Sequence, residues 1–463
     1  MRHRLGVLLG GALAMAVLAT GTVRAETLAD ALAWGYETSG LIEQNRALLR
    51  AADEDVAQAV ATLRPIVNWQ ANLSTTWPDP SPLGSSYTLG EAAVTAGLGL
   101  QASLTLWDSG ARELGVEAQK EIVLATRQSL LSVEQQVLLR VVQAYMEVRR
   151  VRAFVDLRQN NLRLITQELR AAQDRFDVGE VTRTDVSLAE ARLAAAQSQL
   201  AAEQGALARA IEEYQAAVGR APGSLAPAPL ARLPGSLAEA KAIAQRTHPV
   251  ILQAQHEVAA AEIGIARARA ATRPTVSLGG QLRIDQDFEE SAALSLTAEG
   301  PIYQGGRLAS QIRQFMARRD AARAGLLQAA RQVEQNVGNA WSYLESARAG
   351  RLAYEAQVRA AQTAFDGVRE EATLGARTTL DVLNAEQELL DARANLISAE
   401  VDEIVASYTL LSAMGLLTAR DLGLAVQLYD PTVYYDLVDD APSPMSEQGR
   451  ALDRVLQAIG ADR

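Results

Sequence analysis

Trp107-Asp108-Ser109-Gly110 and Tyr303-Gln304-Gly305-Gly306 are one pattern written twice, 303 − 107 = 196 residues apart. Asp177-Val178-Gly179 returns at the same step as Thr373-Leu374-Gly375, Asp185 as Asp381, and Gly219 as Gly415. Upstream, the stretch from Leu28-Ala29-Asp30-Ala31 to Arg64-Pro65 returns as Leu237-Ala238-Glu239-Ala240 to Arg273-Pro274, 237 − 28 = 209 residues on. A period near 200 residues is too long for a solenoid unit and describes a duplicated structural half. The repeats are assigned to 26–220 and 236–416, with a Pro- and Ala-rich linker at 221–235 and a tail at 417–463.

Each half carries two kinds of periodicity. From Ala111 to about Phe176 the chain contains no proline and keeps Val137, Val141, Tyr145, Val148, Val151 and Val155 at three and four spacing, which predicts helix. Arg307 to about Thr373 repeats it with Val333, Val337, Trp341 and Leu344. Roughly 66 residues at 1.5 Å each make a helix of about 100 Å, which must belong to a coiled coil or bundle. Gly179 and Gly375 end these helices, and a second helix runs from each to Gly219 or Gly415, so the hairpins span about 111–219 and 307–415. Thr182-x-x-Asp185 and Thr378-x-x-Asp381 are capping boxes at the restarts.

Ahead of each long helix the period becomes two. Val276, Leu278, Gly280, Leu282 and Ile284 alternate with polar residues, as do Leu294, Leu296 and Ala298. Val67, Trp69, Ala71 and Leu73 do the same, and so do Val94, Leu98, Leu100, Leu104 and Leu106. These predict one strand hairpin per half, at about 66–107 and 275–303. Strands of this length cross an outer membrane when tilted. Trp69, Trp77, Tyr87, Trp107, Phe288 and Tyr303 gather toward strand ends, where interfacial aromatic belts sit. Lipid tolerates no open sheet edge, and four strands cannot close a barrel, so a membrane-spanning version requires further copies of the chain.

Composition removes whole classes of function. Arg2 and Arg4 precede an apolar run from Leu5 to Leu18 and then Val23-Arg24-Ala25, the pattern of a signal peptide over 1–25 with cleavage before Glu26. No later run reaches the length of a spanning helix. The sequence has no cysteine, which excludes disulfides, thiol chemistry and a lipoprotein anchor. A net charge of −11 argues against nucleic acid. His248 and His256 share one predicted helix and form no metal cluster, and no phosphate loop or nucleophile elbow is present, so neither cofactor nor enzyme chemistry is expected.

Pro301-Ile302-Tyr303-Gln304-Gly305-Gly306, Arg175-Phe176-Asp177-Val178-Gly179 with Thr184-Asp185-Val186, and Gly375-Ala376-Arg377-Thr378-Thr379-Leu380-Asp381-Val382-Leu383, set in this duplication, resemble the TolC-like outer-membrane efflux and secretion channels. The resemblance runs to about Leu424. It implies a mainly α fold with a membrane β-barrel: a homotrimer whose strands form one twelve-stranded barrel, continued across the periplasm by long antiparallel coiled-coil hairpins as an α-barrel. It implies passive conduction of small toxic compounds or polypeptides. A periplasmic adaptor (membrane fusion protein) and a proton-driven or ABC inner-membrane transporter would be the partners, and outer-membrane lipid the surroundings. The tail after about Leu424 would lie against the outside of the tunnel or be partly disordered, with Asp439 to Arg463 carrying little core pattern and expected to be mobile.

By the same resemblance Arg377 is the linking cation of a periplasmic gate, Thr184 and Asp185 its partners, and Asp381 a ring acid. Val178, Gly179, Glu180, Leu374, Gly375 and Ala376 are the adaptor-contact tips. Two positions depart from the family: its latch tyrosine is Ala372 here and its second ring acid is Asn384. That implies a looser gate and weaker cation trapping, unless Glu370, Glu371 or Glu180 substitutes. The alternative from another class is a non-conducting coiled-coil envelope tether or adhesin, which leaves the two membrane-length hairpins without a purpose.

Overall fold

The structure, a computed structural model, describes residues 25–76, 93–443 and 446–458. Nearly all of the predicted signal segment, and Trp77 and Tyr87, lie outside the described residues. The first half consists of α1 (Leu28–Thr38), α2 (Gly40–Ala61), β1 (Ile66–Thr76), β2 (Ala93–Trp107), α3 (Ala111–Asp177) and α4 (Arg183–Val218). The second repeats that order as α5 (Leu237–Thr247), α6 (Pro249–Ala270), β3 (Thr275–Asp285), β4 (Glu290–Glu299), α7 (Arg307–Thr373) and α8 (Thr379–Ala413). The tail adds α9 (Pro431–Val438) and α10 (Glu447–Ala458).

Both long helices have 67 residues. Their apolar residues are interspersed with charged ones, and partner helices pack against them. α3 packs on α1, α2 and α4, and α7 packs correspondingly on α5, α6 and α8. The main core sits where the short helices wrap the upper part of the long ones: Leu138, Val141, Tyr145, Tyr214, Val337, Leu344, Leu410 and Met414 are all enclosed there. A second cluster, Ala361, Phe365, Ala372, Val382, Leu389 and Ala392, zips α7 to α8 farther down.

The segment between the halves is tied rather than loose. Glu26 exchanges backbone bonds with Ser224 and Ala226 at 2.7 and 2.8 Å. Its carboxylate receives the Tyr214 hydroxyl and the Arg220 guanidinium, each at 2.7 Å. Part of the tail packs on the first half. Tyr434 and Val438 of α9 bury against Ala57 of α2, and Leu452, Val455 and Leu456 of α10 pack onto that cluster. Those three residues have helical spacing, but a single helix of 12 residues gives too short a pattern to stand out before its partner surface is known.

The strands form one antiparallel sheet in the order β1-β2-β3-β4. Its register aligns the alternation of all four strands: Trp69 faces Leu100, which faces Leu282, which faces Ala292. One residue of the sequence reading shifts. A bulge between Thr105 and Trp107 places Trp107, rather than Leu106, opposite Val276, so the tryptophan joins the apolar face at the helix end. The opposite face carries Asn68, Gln70, Gln101, Gln281, Arg283 and Thr297.

Among the described residues no strand packs extensively on a helix, and no strand residue enters a core cluster. The apolar face is therefore bare, with Trp69 72% and Leu294 80% exposed. A water-soluble sheet would cover this face with helices. Eleven residues at about 3.3 Å, tilted by about 45°, give an apolar band roughly 25 Å tall, the height of an outer-membrane hydrocarbon layer. β1 and β4 each leave one edge unpaired among the described residues. Leu138→Ala empties a fully enclosed site and is expected to lower stability by about 2–5 kcal/mol, whereas Leu294→Ala on the bare face leaves the helical melting transition in place. Thermal unfolding followed by circular dichroism checks both.

Candidate functional site: the hairpin tips and the seam above them

The two tips are built alike. In the first, the Glu180 amide donates back to the Arg175 carbonyl at 2.9 Å and the Gly179 amide to Phe176 at 3.0 Å. In the second, Ala376 donates to Glu371 at 2.9 Å and Gly375 to Ala372 at 3.1 Å. This closure needs a left-handed residue, and Gly179 and Gly375 supply φ of 81° and 79°. It turns Val178 and Leu374 outward, 71% and 78% exposed. Each tip thus offers one bare aliphatic side chain at the same place.

Both predicted capping boxes form. Thr182 and Asp185 bond reciprocally at the start of α4, and Thr378 and Asp381 at the start of α8. Hydrogen bonds from the Thr182 side chain and backbone hold the Asp185 carboxyl below the usual carboxylate range. Those from the Thr378 backbone and side chain do the same for Asp381, with a smaller contribution from the Arg377 charge. Each acid is ionised at neutral pH and is half-buried at its helix start.

Arg377 lies on the surface, and its Nε donates to Glu371 Oε2 of the same hairpin at 2.7 Å. Within the chain it is therefore paired across its own tip, and the bonded partner of Asp185 is Thr182 rather than Arg377. Thr184 is exposed. Ala372 is buried in the α7–α8 zipper. Asn384 reaches the other hairpin, its Oδ1 accepting from Arg192 of α4 at 3.3 Å. Among the aromatics, Trp69 and Trp107 lie on the apolar face, Phe288 projects from the β3–β4 turn, and Tyr303 is exposed between β4 and α7.

Sequence reasoning missed the seam between the hairpins. Asn161 of α3 donates its amide to Glu386 Oε1 of α8 at 2.9 Å, and both side chains are buried. Arg150 lies 3.8 Å from Asp402 higher on the same seam. A signal existed: Asn161 occupies the helical row of Leu157 and Ile165, and Glu386 stands between Val382-Leu383 and Leu389-Leu390, so each polar residue fills an apolar register. Burial pushes the Glu386 carboxyl up to about 7. The Asn161 amide and the more distant Arg369 pull it down, and Glu168 pushes it up.

The outer membrane efflux protein family matches residues 38–220 and 242–416. The chain is 38% identical to outer membrane efflux protein BepC of Brucella suis, covering 92% of this chain and 95% of that protein. It is 28% identical to alkaline protease secretion protein AprF of Pseudomonas aeruginosa, over 64% of this chain and 66% of the other. In fold it matches the crystal structure of the Campylobacter jejuni CmeC outer membrane channel with a TM-score of 0.74 at 15% identity, covering 90% of each chain.

The seam has a pH signature. A carboxyl raised in the folded state contributes stability that is fully present below its unfolded value, near 4.5, and lost as pH rises through about 7. Melting temperature is therefore expected to fall between pH 5 and pH 8, and Glu386→Gln is expected to flatten that fall. An unchanged slope in the variant would place the titration elsewhere.

Proposed function

This chain belongs to the outer membrane efflux protein family, an outer-membrane channel that extends into the periplasm, and from that premise we propose that it is the passive exit duct of a tripartite efflux system. The observation that carries this reading is the sheet. Its bare apolar face has membrane height, its polar face suits a water-filled bore, and its two free edges call for closure by other copies. Three copies, as the family fold implies, make a twelve-stranded barrel standing on an α-barrel. The nearly full-length similarity to an efflux protein favours small toxic compounds over polypeptides as cargo.

Energy in this reading comes from an inner-membrane transporter, and a periplasmic adaptor docks on the tips, where Val178 and Leu374 offer repeated apolar contacts flanked by Gly179, Glu180, Gly375 and Ala376. The gate is held by exposed polar links. Arg377 rests on Glu371 in the single chain and is free to exchange that acid for Asp185 and Thr184 of a neighbouring hairpin, because water screens both alternatives to similar strength. Asp381 contributes the ring charge. With Asn384 in place of a second acid and Ala372 packed inward, the constriction relies on fewer links per copy.

Single-channel recording in a planar bilayer tests the duct. The wild-type protein is expected to give stepwise currents with cation block. Arg377→Ser is expected to increase conductance, and Asp381→Asn, which keeps a capping oxygen, to weaken the block. Silent bilayers containing folded oligomers would establish the tether instead.

A further inference from the structure

The internal duplication extends to individual bonds. Thr38 Oγ1 donates to the Val218 carbonyl at 2.9 Å, and Thr247, 209 residues on, donates to Met414, 196 on from Val218, at 3.3 Å. Arg127 of α3 stands within electrostatic reach of Asp53 of α2, and their counterparts Arg323 and Glu262 form an ion pair at 2.5 Å. One set of contacts has no counterpart. α3 packs on α6 and α8 as well as on its own half, whereas among the described residues α7 makes no comparable contact with α2 or α4. In the same way β2 pairs with β3, while the outer edge of β4 pairs with no described strand.

We propose that a second copy of this chain fills that gap in the arrangement already present inside the chain, and that the Gln357 amide of one copy there donates a hydrogen bond to the Glu190 carboxylate of the next. The proposal rests on the oligomeric duct described above and specifies its seam. Moving the buried Asn161–Glu386 bond by 196 residues in opposite directions yields Gln357 on α7 and Glu190 on α4. A primary amide again faces a carboxylate. Both side chains are exposed in the single chain, and neither has a hydrogen-bond partner among the described residues.

The strands give an independent check. Leu100 faces Leu282, Gln101 faces Gln281, and Ala102 faces Gly280. The same transfer sets Leu296 of β4 opposite Leu73 of the next copy's β1, Thr297 opposite Asn72, and Ala298 opposite Ala71. Apolar meets apolar and polar meets polar, so the transferred register keeps one continuous apolar face.

The two seams are unequal. Another polar link of the chain's own seam, Arg192 to Asn384, transfers to Glu388 and Leu188, which cannot bond. Of these two polar links, the transferred seam keeps one, Gln357–Glu190.

The chain has no cysteine, so introduced thiols are the only ones present. Gln357→Cys with Glu190→Cys, treated with a short bis-maleimide in membranes, is expected to give covalent oligomers on denaturing gels, and either single variant none. Asn161→Cys with Glu386→Cys serves as the control and links within one chain. Gln357→Glu is expected to weaken the oligomer by placing two carboxylates together, and adding Glu190→Gln to restore it. Absence of intermolecular linkage in the double variant, while the control links and light scattering still finds oligomers, overturns the seam and leaves the duct standing. Single chains of wild-type protein by light scattering overturn both.

Discussion

A lipid layer leaves no backbone donor or acceptor unpaired, and this constraint governs the rest of the molecule. A sheet of four strands with an apolar face turned outward is an unfinished object: its free edges at β1 and β4 must meet strands from elsewhere. The helices inherit that incompleteness. Because β2 joins β3 within the chain, α3 is covered on two sides, and because β4 is an edge, α7 is covered on one.

Below the sheet, stability and mobility are placed at different heights. The enclosed core lies where the short helices wrap the long ones, and it supplies the burial that holds the two halves as one body. Toward the tips the apolar content thins to a small cluster on the second hairpin, scattered buried residues such as Ile165 and Val186 on the first, and polar links between hairpins. Polar contacts at a half-wet seam contribute little net free energy, because water competes for each partner. Dense packing thus lies near the sheet, and exchangeable polar bonds lie nearer the tips. The Glu386 carboxyl adds a dependence on proton concentration at the boundary between the two regimes.

Much of the architecture was legible in the sequence because it repeats: chance does not produce a 196-residue echo of caps, strand ends and hairpin tips. The long helices, the strand alternation and both capping boxes could be read from local periods, since a helix face or a strand face is set by residues close in sequence. What escaped was set by distant residues. The bulge that turns Trp107 onto the apolar face depends on how β2 meets β3. The helix α10 has meaning only against α9 and α2.

The sequence alone therefore determined the elements, their duplication, the exclusion of thiol and metal-cluster chemistry, and the two-faced strands that require a membrane and further copies. Tertiary structure alone decided which polar side chains meet. Asn161 and Glu386 are 225 residues apart, and nothing local distinguishes either from an ordinary solvated residue except that each fills an apolar register. Their pairing arises because α8 lies across α3, and that follows from the sheet joining the two halves. Local periodicity fixes which face of an element is buried, whereas the partner on that face is fixed by packing between elements far apart in the chain.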